Sequence, residues 1–174
     1  MSRAFVKEND AGEPPIIPPR AALPPGATNY VTPTGLEQLR AELSALEEER
    51  AKVEANHEDE ANRTRQLTIL NAQLKALTQR LTTAKVIDPR TQPADEVRFG
   101  ATVTLLTRSG GRPGTKRTFT IVGVDEASVA AGKVAFVAPI ARAVIGARVG
   151  QTVKLPMGGK EETLEIAALT YDRA

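Results

Sequence analysis

Leu36-Glu37-Gln38-Leu39-Arg40-Ala41-Glu42-Leu43-Ser44-Ala45-Leu46 opens a run in which apolar residues return at alternating steps of three and four, continued at Val53. Leu67, Leu70, Leu74, Leu77 and Leu81 repeat the pattern. Such steps line one face of an α-helix, and two such faces pack together as a coiled coil. The runs mirror each other about residue 60: Leu36 answers Ala84, Leu39 answers Leu81, Leu43 answers Leu77, Leu46 answers Leu74 and Val53 answers Leu67. This predicts an antiparallel helical hairpin with arms over about 35–55 and 60–85, each roughly 36 Å long at 1.5 Å per residue. Arg50 falls at a seam position opposite Leu70, where packing should loosen and the guanidinium should reach outward. At the fold-back stands Asn56-His57-Glu58-Asp59-Glu60-Ala61-Asn62, so the rod carries acid at its end.

The flanks set the domain plan. Thr34, with Glu37 three residues on, has the spacing of a capping box and is the expected start of the first helix. Residues 1–32 hold Pro14-Pro15, Pro18-Pro19 and Pro24-Pro25, which rule out helix interior and favour an extended, polyproline-like leader. Two readings of it stay open: a disordered leader, or a segment docked on a partner or on the protein's own body through Phe5, Ile16 and Ile17. After Ile87-Asp88, Pro89 and Pro93 mark a linker, and alternation replaces the helical period. Strands are expected at 97–105, 117–122, 134–137, 149–155 and 163–169, with Pro139–Ile145 a short helix begun by proline and stopped by Gly146. The chain is therefore expected to be α+β: a leader over 1–32, a coiled-coil hairpin over 33–88 and an antiparallel sheet with one short helix over 95–174.

Composition removes several functions. The 174 residues contain no cysteine, which excludes disulfides, cysteine metal sites and thiol catalysis and fits a reducing, cytoplasmic setting. No apolar run approaches the about 20 residues that span a bilayer, and no membrane partner is expected. Net charge is 0 over residues 1–34, −2 over 35–88 and +4 over 89–174. That distribution lacks the basic stripe of a DNA-binding domain, and six aromatics with no Trp give little for stacking on single strands.

Few residues can carry chemistry. His57 is the single histidine and lies in the polar tip, so no Ser/His/Asp arrangement is available. Gly111-Arg112-Pro113-Gly114-Thr115-Lys116 does not have the spacing of a phosphate-binding loop and falls between two strands. Glu58, Asp59 and Glu60 could offer a divalent cation one or two oxygens, as Mg²⁺ sites often require; they could equally form a solvated loop. A self-contained enzyme is not expected.

The order of parts, with Tyr30-Val31-Thr32-Pro33-Thr34-Gly35-Leu36-Glu37-Gln38-Leu39 before the hairpin and Ala84-Lys85-Val86-Ile87-Asp88 after it, resembles the Gre transcript-cleavage factors of bacteria. Val97-Arg98-Phe99-Gly100-Ala101-Thr102-Val103, Ile121-Val122-Gly123-Val124-Asp125-Glu126-Ala127 and Pro139-Ile140-Ala141-Arg142-Ala143-Val144-Ile145-Gly146 are similar to that family's C-terminal motifs, and the resemblance covers residues 30–172. It implies an FKBP-like C-terminal domain, without isomerase chemistry, that docks on the rim of the RNA polymerase secondary channel. Asp125, Glu126, Pro139, Ile140 and Arg142 would lie at that contact. The hairpin would enter the channel, and tip acids would help to hold a Mg²⁺ shared with the polymerase, whose own site cleaves backtracked nascent RNA. Asp59 and Glu60, with Glu58 beside them, are the residues the resemblance points to for that role. No cofactor bound to the free protein and a monomeric state are expected.

The tip departs from the family pattern. Active tips carry D-x-x-E-N, whereas Glu58-Asp59-Glu60-Ala61-Asn62 has acid and an asparagine at a different spacing. The hairpin is also shorter by about a dozen residues, which over two arms removes roughly 10 Å of reach. Three functions are therefore weighed: a factor that stimulates cleavage, a channel-binding regulator that inhibits or competes, and an oligomerisation module.

Overall fold

The computed structural model describes residues 14–172, so the expected anchor Phe5 lies outside the described residues. Strand β1 (Tyr30–Val31) leads into helix α1 (Pro33–Ala55), the chain turns at residues 56–59, and α2 (Glu60–Thr83) returns to β2 (Lys85–Val86). The helical hairpin stands as the leucine spacing predicts. The helices contain 23 and 24 residues, which makes a rod of roughly 35 Å. Among the described residues no helix is long and apolar enough to cross a membrane.

The chain turns at residues 56–59, close to the expected fold-back, and Leu39 and the fully buried Leu77 cluster with Val31, with Leu36, Leu43, Leu46, Leu81 and Ala84 packed against them. One expectation about the hairpin needs correction: the helix starts earlier than the capping-box reading placed it. Thr32, not Thr34, is the N-cap: its hydroxyl accepts from the Gly35 N–H at 2.9 Å, and Pro33 takes the first helical position. Proline needs no amide partner there and its fixed φ suits the first turn.

The strands at the two feet of the hairpin pair in parallel, Tyr30 with Lys85 and Val31 with Val86. This short ladder closes the rod at its base. Beyond a 3₁₀ turn at Pro89–Thr91 the chain enters a five-stranded sheet in the order β5-β4-β3-β7-β6, where β3 is Ala101–Ser109, β4 Lys116–Val122, β5 Lys133–Ala135, β6 Thr152–Met157 and β7 Lys160–Tyr171. Strand β3 is central, and Ala101, Val103, Leu105 and Thr107 alternate into the core. Helix α3 (Pro139–Val144) closes the inner face with Ala141 and Val144, both fully buried.

The sheet is mixed rather than wholly antiparallel, because β4 and β5 run parallel. The connection between them makes a 3₁₀ turn at Val129–Ala131 and returns the chain to the same end of the sheet. Strand β3 also begins four residues later than the alternation suggests. Val97 exchanges backbone hydrogen bonds with Gly146 and Ala147, beyond α3, instead of joining the ladder. Tyr171 fastens this entry: its hydroxyl accepts from the Arg98 N–H at 2.8 Å and donates to the Glu96 carbonyl at 2.5 Å.

Leu77 is the most enclosed residue of the hairpin seam. Leu77→Ala removes its contacts and leaves a cavity, and should lower unfolding free energy by about 3 kcal/mol in chemical denaturation.

Candidate functional site

At the tip, each acidic side chain has a local task. Asp59 has extended backbone geometry and caps α2, its carboxylate accepting from the Asn62 N–H at 3.0 Å. Glu60 lies in the first turn, where a negative charge is favoured by the helix dipole. One of its oxygens is 3.1 Å from His57 Nδ1 and the other 3.5 Å from the Arg63 guanidinium. Arg63 also reaches across the turn to donate twice to the Glu54 carbonyl, at 3.0 and 3.2 Å, tying the two arms together. Glu58 is exposed, and its backbone N–H donates to the Asn56 side chain at 3.1 Å.

Glu58, Asp59, Asn56 and Arg63 border a shallow depression of about 300 Å³. Among the described residues no cluster of three or more His, Asp or Glu side chains is arranged to hold a metal. The tip nonetheless offers hard oxygen donors of the kind Mg²⁺ takes. Asp59 keeps an oxygen beyond the one that caps the helix, and Glu58 faces solvent. The chemistry fits a cation that takes one or two ligands here and the remainder from another molecule.

The residues expected at a partner surface divide into two groups. Pro139 and Arg142 are exposed on α3 and Ile140 is half-buried, while Ala141 and Val144 beneath them root the helix in the core. Gly146, at φ +90°, ends the helix in a left-handed conformation that a side chain would strain. Asp125 and Glu126 face inward instead. The side chain of Asp125 is 10% exposed and pairs with Arg80 at 2.8 Å and Arg20 at 3.1 Å; that of Glu126 is 5% exposed. Glu126 accepts from the Thr32 hydroxyl at 2.5 Å and lies 3.4 Å from Lys133 Nζ.

These two adjacent carboxylates thus join the sheet to the hairpin. Glu126 stands at the N-terminal end of α1, where the helix dipole favours an anion. A Cβ on Gly35 would come within 2.8 Å of its carboxylate, and one on Gly123 within 2.6 Å of the Tyr30 carbonyl. Both glycines let the loop and the foot of the rod approach. Tyr30, Phe99 and Phe136 complete the joint as a triangle of rings with centroids 5.5–5.8 Å apart. Thr32, Arg20, Arg80 and Lys133 were not expected from the sequence to act here. Their partners are 45 to 105 residues away or, for Lys133, across a non-hairpin connection, and no periodic pattern signals such pairs.

Comparison with known proteins fits this architecture. Residues 92–171 match the family described as transcription elongation factor, GreA/GreB, C-term. A transcription elongation factor GreA of Acidiphilium cryptum is 34% identical over 155 residues, covering 81% of this chain and 96% of its own. A transcription elongation factor GreB of Neisseria meningitidis is 35% identical over 157 residues, covering 82% and 94%. A solved prokaryotic transcription elongation factor GreA/GreB from Nitrosomonas europaea overlays at TM-score 0.40 and 21% identity, covering 82% of this chain and 98% of that one; the overlay is too loose to argue from.

Removing the Glu126 carboxylate leaves Thr32 and Lys133 without their buried acceptor. Glu126→Ala should destabilise the protein by about 1–3 kcal/mol in chemical denaturation, and a change no larger than that of a surface substitution would deny the joint its weight.

Proposed function

The chain belongs to the GreA/GreB family of transcription elongation factors, and from that premise we propose that it binds RNA polymerase at the rim of the secondary channel and extends its hairpin inside. The observation that carries this reading is a division of labour within one body. The sheet domain presents an exposed helix edge at Pro139 and Arg142, while a rod closed at its base and braced against that domain carries an acidic tip. In this arrangement α3 docks, with Ile140 at the margin of the contact. Asp125 and Glu126 act on docking indirectly, by setting the angle between α3 and the rod. Such a protein works as a monomer, meets nascent RNA only through the polymerase, and leaves bond cleavage to the polymerase's own site.

At the tip, Asp59 and Glu60, with Glu58 beside them, would hold a Mg²⁺ shared with the polymerase, which supplies activation of water for phosphodiester hydrolysis. The chain's own contribution is to carry carboxylates to that place and keep them oriented. Asp59 is fixed by its capping bond and Glu60 by His57 and Arg63.

A second reading is favoured by the same contacts. Glu60 has one oxygen beside the His57 ring and the other beside the Arg63 guanidinium, and the arm is roughly 10 Å shorter than the family pattern implies. Metal ligation tolerates errors of only about 0.2 Å. A protein that docks fully and reaches incompletely would occupy the channel, competing with cleavage-competent factors rather than stimulating cleavage.

Arg142→Ala should weaken polymerase binding by about tenfold, as loss of an exposed interface arginine commonly does; unchanged affinity would remove α3 from the contact. On backtracked complexes, any cleavage stimulated by the wild-type protein should vanish in Asp59→Ala/Glu60→Ala while binding persists. Full cleavage by that double variant would eliminate the tip acids. Displacement of an active factor without cleavage would decide for the competitor.

A further inference from the structure

The alignment with the Acidiphilium protein leaves 19% of this chain unmatched although it uses 96% of the relative. This chain thus carries length beyond the shared core, and the described part of its proline-rich leader lies against the hairpin. Ile17, Pro18 and Pro19 border a groove with Leu46, Ala72 and Ala76 on the two helices. Ile16, an expected anchor, is 89% exposed; Ile17 is half-buried.

The attachment centres on Arg20. Its guanidinium donates to Glu42 of α1 at 2.8 Å through one nitrogen, contacts the other Glu42 oxygen, and pairs with Asp125 at 3.1 Å. Arg80 of α2 pairs with the second oxygen of Asp125 and donates to the carbonyl of Ala21 at 2.6 Å. One leader residue therefore touches α1 and the sheet domain, while α2 grips the adjacent backbone. The side chains of Arg20, Arg80 and Asp125 are 18%, 12% and 10% exposed, so their charges depend on one another more than surface pairs do.

We propose that the leader is a clasp that fixes the angle of the hairpin against the sheet domain and so aims the tip. The other joint contacts, Thr32 with Glu126, Arg80 with Asp125 and the rings of Tyr30, Phe99 and Phe136, lie near the foot of the rod, where leverage against a swing is small. Glu42 is nine residues into α1, roughly 14 Å up the rod, where a brace has leverage. With an arm of roughly 35 Å, a swing of about 10° would move the tip by about 6 Å. Paired prolines already hold extended geometry, so the segment loses little entropy when it docks. The clasp belongs to the free protein and is independent of polymerase binding.

Two measurements on the full chain test it. Trypsin cuts after arginine, and the bond after Arg20 is followed by alanine; a clasped Arg20 must be released before it can be cut. Cleavage there should be slow in the wild-type protein and about tenfold faster in Asp125→Asn, as local opening becomes more frequent. The chain has no cysteine, so spin labels placed by Glu58→Cys at the tip and Lys160→Cys on the sheet report their separation cleanly. That distribution should be narrow with Arg20 present and about twice as broad in Arg20→Ala, with unfolding still cooperative. Rapid cutting at Arg20 in the folded wild-type protein would show that the leader is not clasped. An unchanged distribution in Arg20→Ala would show that it does not aim the rod.

Discussion

Two adjacent carboxylates, Asp125 and Glu126, hold the molecule's two halves together. Ionised groups removed from water are tolerated only when each is paired and hydrogen-bonded, and losing one partner leaves the other exposed to the full desolvation penalty. Here the partners come from separate parts of the chain: Arg20 from the leader, Thr32 from the start of α1, Arg80 from the end of α2 and Lys133 from β5. The joint can form only if the hairpin, leader and sheet all reach their places. It therefore specifies one mutual arrangement, whereas an apolar joint of similar area would accept several. The aromatic triangle next to it supplies the burial that these charges do not.

This constraint matters the more because the rod has a thin seam. Only Leu39, Leu70, Leu74 and Leu77 of its seam are buried, and toward the tip the side chains are mostly exposed. The rod is firmest where Leu39 and Leu77 meet Val31 of β1. At the distal end, stability passes from leucine packing to polar bonds: the Asp59 cap, the Asn56 turn and the arm-to-arm bonds of Arg63. The same carboxylates that a shared metal would recruit thus help to close the turn. Any function at the tip draws on groups with a structural role.

The sequence made the repetitive parts legible. Leucines at steps of three and four fixed the helices, and alternation marked the β3 segment as a strand, because periodicity survives when only one surface packs. Local competition blurred the boundaries. Thr34 offered a plausible cap, but Pro33 fits only the first turn and so moved the cap to Thr32. The parallel pairing of β4 and β5 was not readable because the path of their connection depends on tertiary contacts. Acid was correctly placed at the tip, whereas Asp125 and Glu126, expected to face a partner, turned inward. Their motif indicates that they matter and says nothing about which way they point.

Tip and joint respond differently to changes in the length of the rod. Shortening both arms of an antiparallel hairpin by matching amounts preserves the seam, since each lost residue takes its facing neighbour with it. The reach changes and the fold does not. A brace part-way up the rod, such as Arg20 on Glu42, has the opposite property: it adds no length and reduces angular freedom. Under the proposed channel reading, a shorter rod would reach less deeply, and a braced one would lose less entropy on docking.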